Sequence, residues 1–408
     1  MAASEPRQAR RVGIAGTFDV ENFGDLLFPI LAERELSSRL GAIEITRYSY
    51  WEKVSGAWPF SVHSLDRLIA EMPDLDLLIV GGGHLVRFDK DVAPGYSPPP
   101  AGHLHHPTGY WLMPTLLAAS YGVPIAWNAL GVSPDTPIWA RGLLDLALRS
   151  TNYVAVRDDN SRRELAAVAK GVEVAIVPDT AFGARGLLPR HPSDAFLGFC
   201  EESGLHPPFI VIQPSAHLGL PARQVDDVLR AAESAGLAIL ELPVSPALGD
   251  RVGLLGLRHS VHPPWWPQPL LLAEIVSRAE AVIAVSLHLS IVALTCGVPV
   301  HRRRPAPSSK YEQLAGLPGV HLWHEGDDAA ALLSRGLGRS EPDALITDRL
   351  RQLDSHWNTI AALCGRVQPG ASHVTAELIE RCTADLEAAS RGSESAAHRR
   401  GRQLLGLR

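Results

Sequence analysis

Residues 281–304 read AVIAVSLHLSIVALTCGVPVHRRR. The opening run is apolar and of strand length. A helix-sized apolar stretch follows and stops at Gly297, the residue type that most often ends a helix. The chain then restarts as GVPV and runs into His301, Arg302, Arg303 and Arg304. Strand, helix and strand in immediate succession predict a parallel sheet, because parallel neighbours need a crossover. His288 stands where the strand gives way to the helix. A single histidine in an apolar run is ordinarily a satisfied core residue. The corner position argues for display instead, since backbone N–H groups point outward there and favour an anion.

The same grammar extends in both directions. RVGIAG, DLLIVGGG, PIAWNALG, NYVAVRD and VEVAIVPD are strand-length runs in the first half of the chain. FIVIQPSAH, LAILELPVS, EAVIAVSLH, GVPVHRRRP and GVHLWHEG repeat the pattern in the second. Helix-like pieces lie between them. SRRELAAVAKG has Ser161 as an expected cap, Glu164 three residues on and a stop at Gly171. Residues 184–208 are rich in Pro, Gly and His and read as a linker. The expectation is an α/β protein with two Rossmann-like domains and a cleft between them. An N-terminal α/β domain is assigned to 12–190 and a C-terminal one to 205–335. A helical segment is expected over 336–390, and a loose tail over 391–408.

Bulk composition agrees. At 408 residues, 46% of them hydrophobic, the chain is too long for one ordinary core. A net charge of −6 speaks against a nucleic-acid partner. Cys200, Cys296, Cys364 and Cys382 are far apart and suggest neither a metal knuckle nor a disulfide framework. His103, His105 and His106 crowd one Pro/Gly-rich loop without a regular ligand frame, so no metal is expected. Residues 281–300 have the length of a membrane span, but Ser286, His288 and Ser290 interrupt them. With no secretory h-region at the N-terminus, a cytoplasmic protein without a stable membrane span is expected.

In open parallel sheets ligands bind beyond the carboxyl ends of the strands. Asn22, Gly24 and Asp25 follow the first run, and Gly81, Gly82, Gly83 and His84 follow DLLIV. Arg157 and Asp158 follow NYVAV, and Asp179 follows VEVAIV. Ser215 and His217 follow FIVIQ. Ser286, Leu287 and His288 follow EAVIAV. Asp25 and Asp158 read equally well as helix caps or ligand contacts. Two such edges face to face would form an interdomain ligand site.

These blocks resemble the polysaccharide pyruvyl transferase family. GTFDVENFGDLLFPILAERELSSRL is similar to its Asn-x-Gly-Asp opening, and DLLIVGGGHLV to its glycine-rich block. VAVRDDNSRREL resembles its Arg-Asp-x-x-Ser block, and VPDTAF the Asp block after it. AVIAVSLHLSIVALTCGVPV resembles the Arg-Leu-His block, and SSKYEQL the Lys-Tyr stretch. The ordered set covers roughly residues 12–315. The resemblance implies a glycosyltransferase-B-like fold, with the acceptor on the N-terminal side and the donor on the C-terminal side. It implies transfer of pyruvyl from phosphoenolpyruvate to a sugar or glycan precursor as a ketal, with no cofactor beyond that donor substrate. His288 would be the acid/base and Arg157 a second catalytic residue. Asn22, Asp25, Gly82, Gly83, Ser286, Leu287, Arg302, Arg303 and Arg304 would line the substrates. One residue departs from the pattern: Ser286 stands where the family has Arg, and a serine supplies no fixed cationic fork. Arg302, Arg303 and Arg304 are the nearest substitutes. Two other readings stay open: a nucleotide-sugar glycosyltransferase of the same fold, and an inactive glycan-binding homologue. The acceptor sugar and the oligomeric state are open too.

Overall fold

The computed structural model describes residues 9–88, 107–219, 221–303, 310–314, 316–324, 326–341 and 343–366. Arg304, the histidines of the 103–106 loop, Cys382 and the expected tail lie outside them, as does the second part of the helical segment.

Among the described residues twelve strands form two wholly parallel sheets. The first contains β1 (Arg10–Ala15), β2 (Ile43–Ser49), β3 (His63–Ser64), β4 (Leu77–Gly81), β5 (Ile125–Leu130), β6 (Tyr153–Val156) and β7 (Val174–Ile176). Its order is β3-β2-β1-β4-β5-β6-β7. The second contains β8 (Phe209–Ile212), β9 (Ala238–Glu241), β10 (Ala281–Ile283), β11 (Val300–Arg303) and β12 (Val320–Trp323), in the order β12-β11-β10-β8-β9. β4 and β5 are buried at every residue. Central strands covered by helices on both faces have no solvent side to mark with polar residues, so they read as continuous apolar runs. Each sheet reverses its order once, between β1 and β4 in the first and between β8 and β10 in the second. Such reversals are the switch points at which doubly wound sheets bind ligands.

All ten strand-length runs carry strands. β2 and β3 lie outside them, because Glu44, Thr46 and Arg47 thin the apolar signal of β2. The linker is more structured than its composition suggests. It holds a helix, Asp194–Ser203, capped by Ser193, stopped by left-handed Gly204 and anchored by buried Phe196 and Phe199. Helix Asp159–Val168 is capped by Asp158 rather than by Ser161. The Asp158 carboxylate accepts from the Ser161 N–H at 2.7 Å, and the Ser161 hydroxyl accepts from the Val132 N–H at 3.0 Å. Residues 281–300 divide into β10 and the short helix Leu287–Thr295. Among the described residues no helix is long and apolar enough to cross a membrane.

One continuous core joins the two sheets. Leu26 and Leu27 of helix Phe23–Leu40 pack in the same cluster as Phe182, Leu272, Ile275, Leu287 and Ile291. The final described helix, Ala344–Leu363, returns to the first sheet. There buried His356 donates from Nε2 to Asn128 Oδ1 at 2.8 Å, and its Nδ1 accepts from the Tyr153 hydroxyl at 3.0 Å. Both ring nitrogens are satisfied in the neutral form, and burial pushes the imidazole pKa down to about 3.

Candidate functional site

The two switch points meet across the seam. From the first, β1 turns into helix Phe23–Leu40 through Asn22. Its side chain does not cap the helix. Its Nδ2 donates to Asp25 Oδ2 at 2.7 Å, and its Oδ1 accepts from the Ser245 hydroxyl at 3.1 Å. The Phe23 N–H donates to the Val244 carbonyl at 2.9 Å. Asn22 therefore brackets the two halves together. Ser245 in turn rests on buried Asp250, whose Oδ2 accepts from the Val244 and Ser245 N–H groups and from Gln213 Nε2. Gln213 Oε1 accepts from the Val285 and Ser286 N–H groups at 3.0 and 2.8 Å. A chain of side chains thus runs from Asp25 to the turn that carries His288.

From the second switch point, β10 turns into helix Leu287–Thr295. Ser286 is its N-cap, with its hydroxyl accepting from the Leu289 N–H at 3.4 Å. Leu287 is buried in the core. His288 is neither fully displayed nor sealed away, with a side chain 14% exposed. Its ring lies on the bare backbone of Gly24, where a Cβ would come within 1.7 Å of Nδ1. Phe28 meets the ring edge-on, with centroids 5.1 Å apart. Gly82 takes a φ of +64°, and a Cβ there would strike the Phe28 ring at 2.3 Å. At Gly83, with a φ of +79°, a Cβ would lie 2.8 Å from Asp25 Oδ1. These three glycines act by what they lack, a side chain that would push the imidazole wall aside.

The anion that His288 faces is Asp179. This carboxylate closes β7 and caps the turn after it, accepting from the Ala181 N–H at 3.0 Å. Its Oδ2 accepts from Arg157 Nη1 at 3.0 Å and lies 3.4 Å from His288 Nε2. Burial alone would raise its pKa. His288, Arg157 and the Ala181 N–H outweigh burial and hold the carboxyl well below the ordinary carboxylate range. Arg157 is itself buried, turned to Asp179 rather than to the seam's opening. Its guanidinium adjoins Gly131, where a Cβ would lie 2.9 Å from Nη2 and 2.6 Å from the His84 ring. Among the described residues Arg157 Nε, His288 Nε2 and Thr180 Oγ1 are buried with no hydrogen-bond partner. Buried polar atoms are nearly always satisfied, so three together make this the candidate site.

The arginines after β11 are set apart. Arg302 is buried one residue beyond the last β10–β11 pair, Ile283 with His301. Its guanidinium lies 4.2 Å from the Tyr311 ring centroid, and Nε and Nη1 have no hydrogen-bond partner. Burial lowers its pKa, although Tyr311 opposes the shift. Arg303 is exposed and donates to the Gly219 carbonyl at 3.1 Å. The structure thus gathers Asn22, Asp25, Gly82, Gly83, Arg157, Ser286, Leu287 and His288, with Arg302 on the neighbouring strand. Asp179, singled out in the sequence as a strand-end residue, joins them. Its place after a strand run was the available signal, but its pairing with His288 depends on how the halves pack. No group of three His, Cys, Asp or Glu side chains that could hold a metal occurs among the described residues.

Two parallel-sheet units meeting at their switch points define a two-domain α/β protein of the glycosyltransferase-B-like class. UDP-GlcNAc 2-epimerase from Methanocaldococcus jannaschii shares this fold, with a TM-score of 0.55 at 11% identity over 86% of this chain and 100% of that one. So does UDP-GlcNAc 2-epimerase from Neisseria meningitidis, solved with UDP-GlcNAc, with a TM-score of 0.52 at 11% identity over 91% and 100%. No curated protein sequence matches significantly. The family model for polysaccharide pyruvyl transferase matches residues 22–302, and the chain belongs to that family.

Proposed function

We propose that the protein transfers the pyruvyl group of phosphoenolpyruvate to a sugar of a polysaccharide or glycan precursor, forming a ketal and releasing phosphate. The observation that carries this reading is the His288–Asp179 pair at the seam. The buried carboxylate fixes the imidazole at the seam, where a positioned acid/base can pass a proton to substrate.

His288 gives its proton to the methylene carbon of the enol, and C2 becomes electrophilic. One sugar hydroxyl adds to C2 and returns its proton to His288. The bond from C2 to the phosphate oxygen then breaks. A second hydroxyl closes the ketal, and its proton leaves with phosphate. Arg157 holds Asp179 ionised, and its Nε makes no protein hydrogen bond. Arg302 is the substitute for the motif arginine, a buried guanidinium with two nitrogens, Nε and Nη1, uncommitted. Charge-assisted bonds from such a group are worth about 1.5–3 kcal/mol each. Phosphoenolpyruvate and activated sugar precursors meet in the cytoplasm, where we place the reaction.

Calorimetry with phosphoenolpyruvate tests this, repeated on His288→Ala. Saturable binding, weakened in the variant, and a loss of phosphate release of about 10²–10⁴-fold are expected. A folded wild-type protein that does not bind phosphoenolpyruvate would overturn the reading.

A further inference from the structure

A second concave region lies on the same seam and takes no part in the steps above. It encloses about 500 Å³ and is lined by Glu21, Trp58, Trp265, Trp266, Gln268 and Leu270, among others. Glu21 and Trp58 come from the first half, the other four from the second. Trp265 is 43% exposed, as is Leu270. Leaving large apolar side chains in water costs free energy, and a group of them around one hollow calls for a ligand.

All three indoles are fixed in place by their N–H groups. Trp58 Nε1 donates to the Phe18 carbonyl at 2.8 Å, Trp266 Nε1 to the Pro243 carbonyl at 3.0 Å and Trp265 Nε1 to Glu202 Oε2 at 2.9 Å. Lys53 Nζ sits 4.8 Å over the Trp58 ring, and Phe199 meets Trp265 edge-on at 5.9 Å. With their donors committed, the rings have only π faces and edges left to offer. The faces carry partial negative charge and attract C–H groups polarised the other way. A pyranose ring presents such a C–H face with a rim of hydroxyls, and Glu21 and Gln268 supply acceptors and a donor for that rim. A peptide segment would bring backbone amides that this lining leaves mostly unpaired.

The hollow is also mounted on the machinery of the site. Glu21 directly precedes Asn22. Trp58 hangs on the loop that leads to Gly24, and Trp266 on the residue before Val244, whose carbonyl takes the Phe23 N–H. We infer that this three-tryptophan groove is a sugar-binding subsite. It holds a pyranose unit of the acceptor glycan beside the one that is modified. The acceptor role rests on the proposed pyruvyl transfer; the binding of sugar does not.

Saturation-transfer NMR on the full chain, with lactose, cellobiose and N,N′-diacetylchitobiose as probes, tests the groove. Saturable transfer to at least one disaccharide is expected. Trp265→Ala and Trp58→Ala should each weaken it at least tenfold, and Trp265→Phe should retain it. No saturable transfer with any probe, or equal binding in the tryptophan variants, would overturn the subsite. Sugar binding lost in the tryptophan variants without any binding of phosphoenolpyruvate would leave the subsite standing and remove the pyruvyl donor.

Discussion

The turns at the two switch points are built alike and used differently. Each leads from a strand into a helix whose first residue is buried and apolar, Phe23 in one and Leu287 in the other. The second helical residue is Gly24 in the first and His288 in the second. One turn yields space, and the other fills it with an imidazole. The residues before the helices divide the work the opposite way. Ser286 caps its own helix, whereas Asn22 leaves its helix uncapped by a side chain and reaches across to Ser245. The first turn thus uses its polar group to join the halves, and the second to aim the His288 ring.

The sharpest way to break this fit is Gly24→Ala. A Cβ 1.7 Å from Nδ1 must displace the ring, so turnover should fall by about 10²–10⁴-fold, read in a phosphate-release assay. Thermal melting of Gly24→Ala combined with His288→Ala should recover stability that Gly24→Ala alone loses, because the clash is then gone. Next in size is Asp179→Asn. Removing one partner of a buried ion pair leaves Arg157 uncompensated, at about 3–5 kcal/mol in urea unfolding. Adding Arg157→Met should restore part of that loss.

Acid separates the seam from the latch behind it. His356 has its folded pKa depressed to about 3, below the unfolded value of about 6.5. Its contribution is therefore complete above pH ~6.5 and is lost as pH falls from there toward 3. Asp179 is also depressed, so its contribution holds above the ordinary carboxylate range of about 4 and fades only below it. Stability curves should decline first in the histidine window, where His301, depressed by burial to about 4, and His321 also contribute, so His356→Gln should make that decline shallower without removing it. The smallest effect expected is that of Ser286→Arg. Loss of the cap costs about 1 kcal/mol. A restored guanidinium should raise phosphoenolpyruvate affinity roughly tenfold, the equivalent of one charge-assisted bond.

Much of this architecture is written locally. The strands of both sheet centres are legible because burial on two faces demands uninterrupted apolar residues. The outer strand β2 is not, since Glu44, Thr46 and Arg47 break its run. Asp158 and Ser161 compete for one cap, and only the packing of Ser161 against the Val132 N–H decides for Asp158. His288 is legible from its corner and from the family resemblance. Its pairing with Asp179 is not, because the contact exists only once the halves are docked. Nor does a row of three arginines reveal that Arg302 turns inward beneath Tyr311 while Arg303 turns out.

The return of helix Ala344–Leu363 to the first sheet makes the second half an insertion, attached at two places. Two attachments restrain the docking of the halves more than a single linker can, and the fit of His288 against Gly24 depends on that docking. The contacts of His356 with Asn128 and Tyr153 are what hold the second attachment in place. Arg39 adds to them from helix Phe23–Leu40, bonding Asp354 and Asn358, so the final described helix is tied to the same element that carries Gly24.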